Sequence, residues 1–180
     1  DFQKAGMVTD IQLGDLDSDG RAEMVVAGDW MPIRVFALDG QRFQDKTAAL
    51  GLSNSTGWWN CLAVADLDGD GDLDIAAGNE GLNHRFHASP IAPMRLFAND
   101  FDGNHSLDPL LCIADGDAYR VVVQRDVLAA QVPAVKKKFP RYGPYAKAAV
   151  TDVFTSKELL SGICLETQTF ETQWFENKNG

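Results

Sequence analysis

The chain reads as all-β, a partial β-propeller of repeated four-stranded sheets with a small α-helical insertion. Three observations predict this. Acidic loops of one spacing recur at residues 15–23, 66–74 and 100–108, each followed by an apolar run. The first two begin 51 residues apart, which suits one four-stranded propeller blade per repeat. After about residue 125 the apolar period changes from strand-like to helical.

The elements follow in order. Residues 7–14 form a strand leading into the first loop, and 23–28 carry the chain out of it. Residues 32–38 and 41–46 form a hairpin around Asp39-Gly40, because Asp-Gly between alternating runs supplies a tight turn. The second repeat opens at Gly57-Trp58-Trp59-Asn60, runs to residue 65, passes its loop and resumes over 74–78. The next offset, from Asp66 to Asp100, is only 34 residues, and 80–93 is irregular, so the blade pattern changes there. Residues 109–113 and 119–123 read as strands.

Leu128, Val132, Val135 and Phe139 then recur at helical spacing, as do Ala146, Ala149, Val150 and Val153. Pro133 lacks an amide donor and must kink or divide the first of these helices, and Pro140 follows its end. Thr155 with Glu158 forms a capping-box pattern opening a short helix that Gly162 closes. Strand character returns over 163–165 and 169–175. The expected organisation is one propeller-type unit over residues 1–180 with a helical insertion over 125–162.

Each acidic loop follows D-x-D-x-[DN]-x-x-x-[DE]. The side chains are Asp15, Asp17, Asp19 and Glu23; Asp66, Asp68, Asp70 and Asp74; and Asp100, Asp102, Asn104 and Asp108. A hard cation such as Ca²⁺ takes about six to eight oxygens, so a tight loop must offer alternate side chains, a backbone carbonyl and a later carboxylate. The carbonyls would come from Arg21, Asp72 and Ser106. An EF-hand loop begins the same way but needs a bidentate Glu at its twelfth position and helical flanks. Val26, Ala77 and Leu111 stand there, and the flanks read as strands. Calcium-binding nonapeptide β-helix repeats are excluded because these copies are far apart. The third loop is the weakest: Asn104 lowers its charge, and His105 stands where Gly20 and Gly71 supply a residue tolerant of positive φ.

With 180 residues, 45% of them hydrophobic, the chain can bury a substantial core. A formal net charge of −10 and a pI near 4.6 argue against nucleic acid or an anionic membrane as partner. Three bound Ca²⁺ would neutralise more than half of that charge. No run approaches a transmembrane helix, and no signal-like segment opens the chain, whose start at Asp1 reads as a trimmed or mature fragment. Cys61, Cys112 and Cys164 lie in apolar, strand-like contexts and read as small buried thiols. Extracellular calcium modules bind weakly and need calcium near the millimolar range, which favours an extracellular, cell-surface or periplasmic location.

The phrases Leu13-Gly-Asp-Leu-Asp-Ser-Asp-Gly20 and Val64-Ala-Asp-Leu-Asp-Gly-Asp-Gly-Asp-Leu-Asp-Ile-Ala-Ala-Gly78 resemble the FG-GAP/VCBS repeats of integrin α-subunit propellers and of many bacterial secreted proteins. Residues 30–36, 57–60, 78–83 and Trp174-Phe-Glu-Asn177 are similar to bacterial VCBS-repeat proteins, many of which carry an ASPIC/UnbV-type C-terminal segment; nothing like that segment is present here. The resemblance implies a seven-bladed propeller, of which this chain would hold about three to four blades. It also implies a calcium loop between the first and second strands of each blade. It supplies no shared catalytic residue. A fragment of that size leaves open flanks, so the remainder of a longer propeller or a second copy of the chain is the expected partner.

Other features have plainer readings. Trp58 and Trp59 suit core packing, with a sugar-stacking platform as the sharper alternative; Trp30, at an expected hairpin tip, is the candidate for an exposed ligand contact. His84, Arg85 and His87 cluster in the irregular loop without enough further ligands for zinc. Lys136, Lys137 and Lys138 suit a solvated helix end. Asn54-Ser-Thr56 and Asn104-His-Ser106 are formal glycosylation sequons, the second better explained as part of a metal loop. No nucleophile elbow, phosphate loop or metal-hydrolase helix is present. The expectation is a non-enzymatic, calcium-stabilised module that recognises a protein or glycan; the alternative is the scaffold of a polysaccharide lyase or glycosidase.

Overall fold

The computed structural model describes residues 5–178, which separate into two compact units: 5–86 with 167–178, and 87–166. In chain order the first unit supplies β1 (Met7–Gly14), β2 (Glu23–Met31), β3 (Arg34–Asp39), β4 (Arg42–Asp45), a 3-10 turn at Leu52–Asn54, β5 (Gly57–Ala65) and β6 (Asp74–Asn79). The second contains β7 (Met94–Asn99), β8 (Asp108–Asp115) and β9 (Ala118–Val121). It continues with α1 (Arg125–Gln131), α2 (Ala134–Lys138), α3 (Tyr142–Lys147), α4 (Val150–Val153) and α5 (Ser156–Leu160), and ends with β10 (Ile163–Thr167). The chain then returns to the first unit as β11 (Gln173–Phe175).

All the described pairings between strands are antiparallel, in two sheets. β1 to β4 pair consecutively, as the repeat pattern predicts. β2 runs on to Met31 because Asp29 and Met31 pair with Trp58 and Gly57 of β5 across a bulge. Thr9 Oγ1 donates to the Trp59 carbonyl at 2.5 Å, and the Leu62 amide donates to Asp10 Oδ2 at 2.7 Å, stitching β5 to β1. β6 pairs with β5 on one side and with β11 on the other. The strand beside β6 is therefore supplied by the chain's return rather than by the residues that follow β6 directly.

β2 is covered along nearly its whole length, so its Met24-Val-Val-Ala27 run is apolar rather than alternating. Val25, Ala27, Ile33, Val35, Trp59, Leu62, Ile75 and Ala77 form the core of this unit. Trp59 is fully buried, and its Nε1 donates to the Ser55 carbonyl at 2.9 Å.

The second unit has its own sheet, in the order β10-β7-β8-β9, and its own core. Leu128, Val132 and Val135 are buried against Phe97, Leu110, Cys112, Val150, Val153, Phe154 and Leu159, with Phe139 packed beside them. Pro133 sits at the N-cap of α2 and divides the first helical run there. The run from Ala146 to Val153 is not continuous helix. Ala148 and Ala149 are extended, with ψ of 136° and 157°, and Asp152 accepts the Ala149 amide at 2.8 Å to start α4 afresh. Thr155 and Glu158 form the expected capping box at α5. The strand expected over 169–175 shortens to β11, because the chain at 168–172 is spent on single contacts to Thr56, Asn79 and Gly81.

One expectation about cysteine needs correction. Cys112 is buried, and burial pushes its thiol up to about 12, but Cys61 and Cys164 are exposed. Cys61 follows a bulge between Trp59 and Cys61 that resets the alternation of β5, and Cys164 lies on β10, at the edge of its sheet. Among the described residues no helix is long and apolar enough to cross a membrane.

Candidate functional site

The three acidic loops each connect two paired antiparallel strands: β1 to β2, β5 to β6, and β7 to β8. Strand pairing fixes the two ends of each loop, and hydrogen bonds inside it do the rest. The sixth residue donates its amide back to the first aspartate: Gly20 to Asp15 Oδ2 at 2.9 Å, Gly71 to Asp66 Oδ2 at 3.1 Å, His105 to Asp100 Oδ2 at 2.9 Å. The seventh donates to the fifth: Arg21 to Asp19 at 2.8 Å, Asp72 to Asp70 at 2.9 Å, Ser106 to Asn104 at 2.7 Å. The ninth, an acid, accepts the amide of the second: Leu16 to Glu23 at 2.9 Å, Leu67 to Asp74 at 3.0 Å, Phe101 to Asp108 at 2.9 Å.

This frame leaves oxygens converging. Carboxylate oxygens of Asp15, Asp17 and Asp19, of Asp66, Asp68 and Asp70, and of Asp100, Asp102 and Asp108 each fall within 4.8 Å of one another, close enough to hold a metal ion. The donors are all oxygen, which suits a hard divalent cation and not a soft one. Glu23 and Asp74 are buried at the loop exits, where each accepts the amide of its loop's second residue. Arg21, Asp72 and Ser106 direct the turn through their amides, a role that spacing did not reveal.

The electrostatics follow from crowding. Burial pushes the Glu23 carboxyl above its ordinary value, against the pull of the Leu16 amide and with the help of Asp17, Asp19 and Asp15. Asp74 is held below its ordinary value by the amides of Asn177 and Leu67. Asp100 is held low chiefly by the His105 amide.

The sixth residues adopt positive φ as expected, at 87°, 101° and, for His105, 67°. The fourth position does so as well: Ser18 at 56°, Gly69 at 84° and Gly103 at 78°. Glycine at this position in two loops was the signal available for that second turn.

Two further residues were missed. Asn177 lies beside both loops of the first unit; its amide donates to Asp74 Oδ1 at 2.8 Å, and its Nδ2 donates to the carbonyls of Leu16 at 2.6 Å and Leu73 at 3.3 Å. Asn79 accepts the amides of Trp58 and Glu80 at 3.1 and 2.8 Å while donating to the Thr169 carbonyl at 3.1 Å.

Trp30 lies midway along the connection beyond the last β2–β3 pair, Val26 with Arg34, but it is not fully exposed there. It sits in the β2 bulge at φ 60°, half-buried, edge-on to Trp58 with centroids 5.0 Å apart. Trp58 also meets Phe170 at 5.1 Å and Phe86 at 6.5 Å, and His84 meets Phe170 at 4.7 Å. The ring nitrogens Trp58 Nε1 and His84 Nε2 are buried in this cluster without a hydrogen-bond partner.

Residues 15–77 match the family model of the FG-GAP-like repeat, so the segment from the first acidic loop into β6 is an FG-GAP-like repeat with Asp triads able to hold metal. No curated protein and no solved structure gives a match to the chain.

Proposed function

We propose that this chain is a calcium-binding, non-enzymatic recognition module, a part of a β-propeller that works outside the cytosol and presents a surface to a protein or a glycan. The observation that carries the reading is the hydrogen-bond frame repeated in three loops, each gathering three carboxylates. Oxygen-only sites of this charge suit Ca²⁺, and its removal would leave the carboxylates repelling one another. In this reading β1 to β4 serve as one blade and β5, β6 and β11 as part of the next, with the β2–β5 pairing joining all seven strands in one sheet. Met7, Val8, Ile11 and Leu13 of β1 are 47, 42, 49 and 68% exposed, which supports a covering partner. That partner is the remainder of a longer propeller; light scattering separates it from self-association.

Isothermal titration with calcium, followed by a glycan array probed with and without it, tests the proposal. Calcium-dependent retention on a glycan or protein class supports it, and the absence of any calcium binding defeats it.

A second reading, the scaffold of a polysaccharide lyase or glycosidase, draws on one observation. Burial, with the Glu80 carboxylate nearby, raises the Asp29 carboxyl, and Asp29 lies opposite Trp58 on the neighbouring strand. Loss of glycan cleavage in Asp29→Asn would favour it.

A further inference from the structure

We infer that Asn177 is a positioning residue that couples the first two metal loops, so that calcium binding at one favours binding at the other. The inference rests on the calcium reading of those loops. Asn177 is 161 residues from Leu16 and only two residues beyond β11, the strand that pairs with β6. Its side-chain amide spans two carbonyls, Leu16 at the second position of one loop and Leu73 at the eighth position of the other. Its backbone amide fixes Asp74 Oδ1, while Oδ2 of the same carboxylate takes the Leu67 amide.

Each contacted carbonyl shares its peptide with a loop acid: the Leu16 carbonyl directly precedes Asp17, and the Leu73 carbonyl directly precedes Asp74. A loop that tightens around a cation therefore holds its carbonyl where the Asn177 amide can reach it, and an engaged Asn177 presents the second carbonyl already placed. Linkage makes this reciprocal: whatever strengthens calcium binding is itself strengthened by calcium. The third loop, in the other unit, has no described contact with Asn177 and serves as an internal control.

The test is a stepwise calcium titration of the intact chain and of Asn177→Ala, which keeps the backbone amide on Asp74 and removes both carbonyl contacts. We expect two of the three sites to weaken about tenfold, the scale of one or two net hydrogen bonds, and to lose their mutual cooperativity while the third is unchanged. Wild-type affinities and cooperativity in the variant would overturn the inference. A wild-type chain that binds no calcium would instead overturn the calcium reading on which it rests.

Hydrogen exchange on the wild-type chain keeps the question open to test if the variant misfolds. Calcium should slow exchange of the Asn177 amide, and a rate indifferent to calcium at saturating concentration counts against the coupling.

Discussion

His105 donates its backbone amide to Asp100 Oδ2 at 2.9 Å from a left-handed backbone, φ 67°. The bond is the one that Gly20 and Gly71 make in the other loops, so the third loop reaches the same geometry with a side chain that geometry disfavours. His105→Gly should relieve about 1 kcal/mol of that cost, offset in part by the entropy of glycine in the unfolded chain. Thermal unfolding should show a third loop no less stable than wild type and calcium binding there equal or tighter. A loss of stability would mean that the imidazole itself supports the loop.

Calcium should be structural. Each loop holds carboxylates close enough to repel, and a ligand that binds only the folded state stabilises it by about 2.7 kcal/mol per site at a hundredfold excess over Kd. Chelation should therefore lower the melting temperature markedly. Asp66→Ala and Asp70→Ala should cost more than Asp102→Ala, because the third loop carries Asn104 and the strained His105. Coincident melting curves in chelator and in millimolar calcium would defeat this.

Thr155 accepts the Glu158 amide at 3.3 Å, and Glu158 accepts the Thr155 amide at 2.6 Å, a reciprocal cap on α5. Thr155→Ala should cost about 1 kcal/mol, read as a shifted urea midpoint at constant slope. Trp59→Ala should cost more, about 3–5 kcal/mol, since the ring is fully buried and its removal also leaves the Ser55 carbonyl without that donor.

What the sequence disclosed was local. Period-two runs and the aspartate spacing put β1 to β4 and all three acidic loops in place, because a strand and a tight turn are determined by neighbours a few residues away. Three things escaped. The pairing of Trp174 with Ala76 joins residues separated by the whole second unit, and no short-range pattern encodes it. The bulge at Trp30 arises where β2 turns from β1 to β5, a tertiary demand on a residue whose own preference opposes it. Trp174-Phe-Glu-Asn177 was visible as a phrase, but that Asn177 reaches two loops depends on where that strand docks.

Asp29 supplies a pH dependence whose sign can be worked out. Burial, then the Glu80 charge, raises its carboxyl above the ordinary value, so the folded chain holds the proton more tightly than the unfolded chain does. Ionised Asp29 therefore costs stability at neutral pH. That cost shrinks as pH falls through the raised folded value and is gone below the unfolded value of about 3.9. Asn mimics the protonated acid at every pH, so Asp29→Asn should be more stable than wild type at pH 7 and indistinguishable from it near pH 3.5. Urea titrations of both proteins across this range, in one calcium buffer, measure the difference directly. A gap that stayed constant with pH would mean that Asn acts through packing against the strand pair at Trp58 rather than through charge.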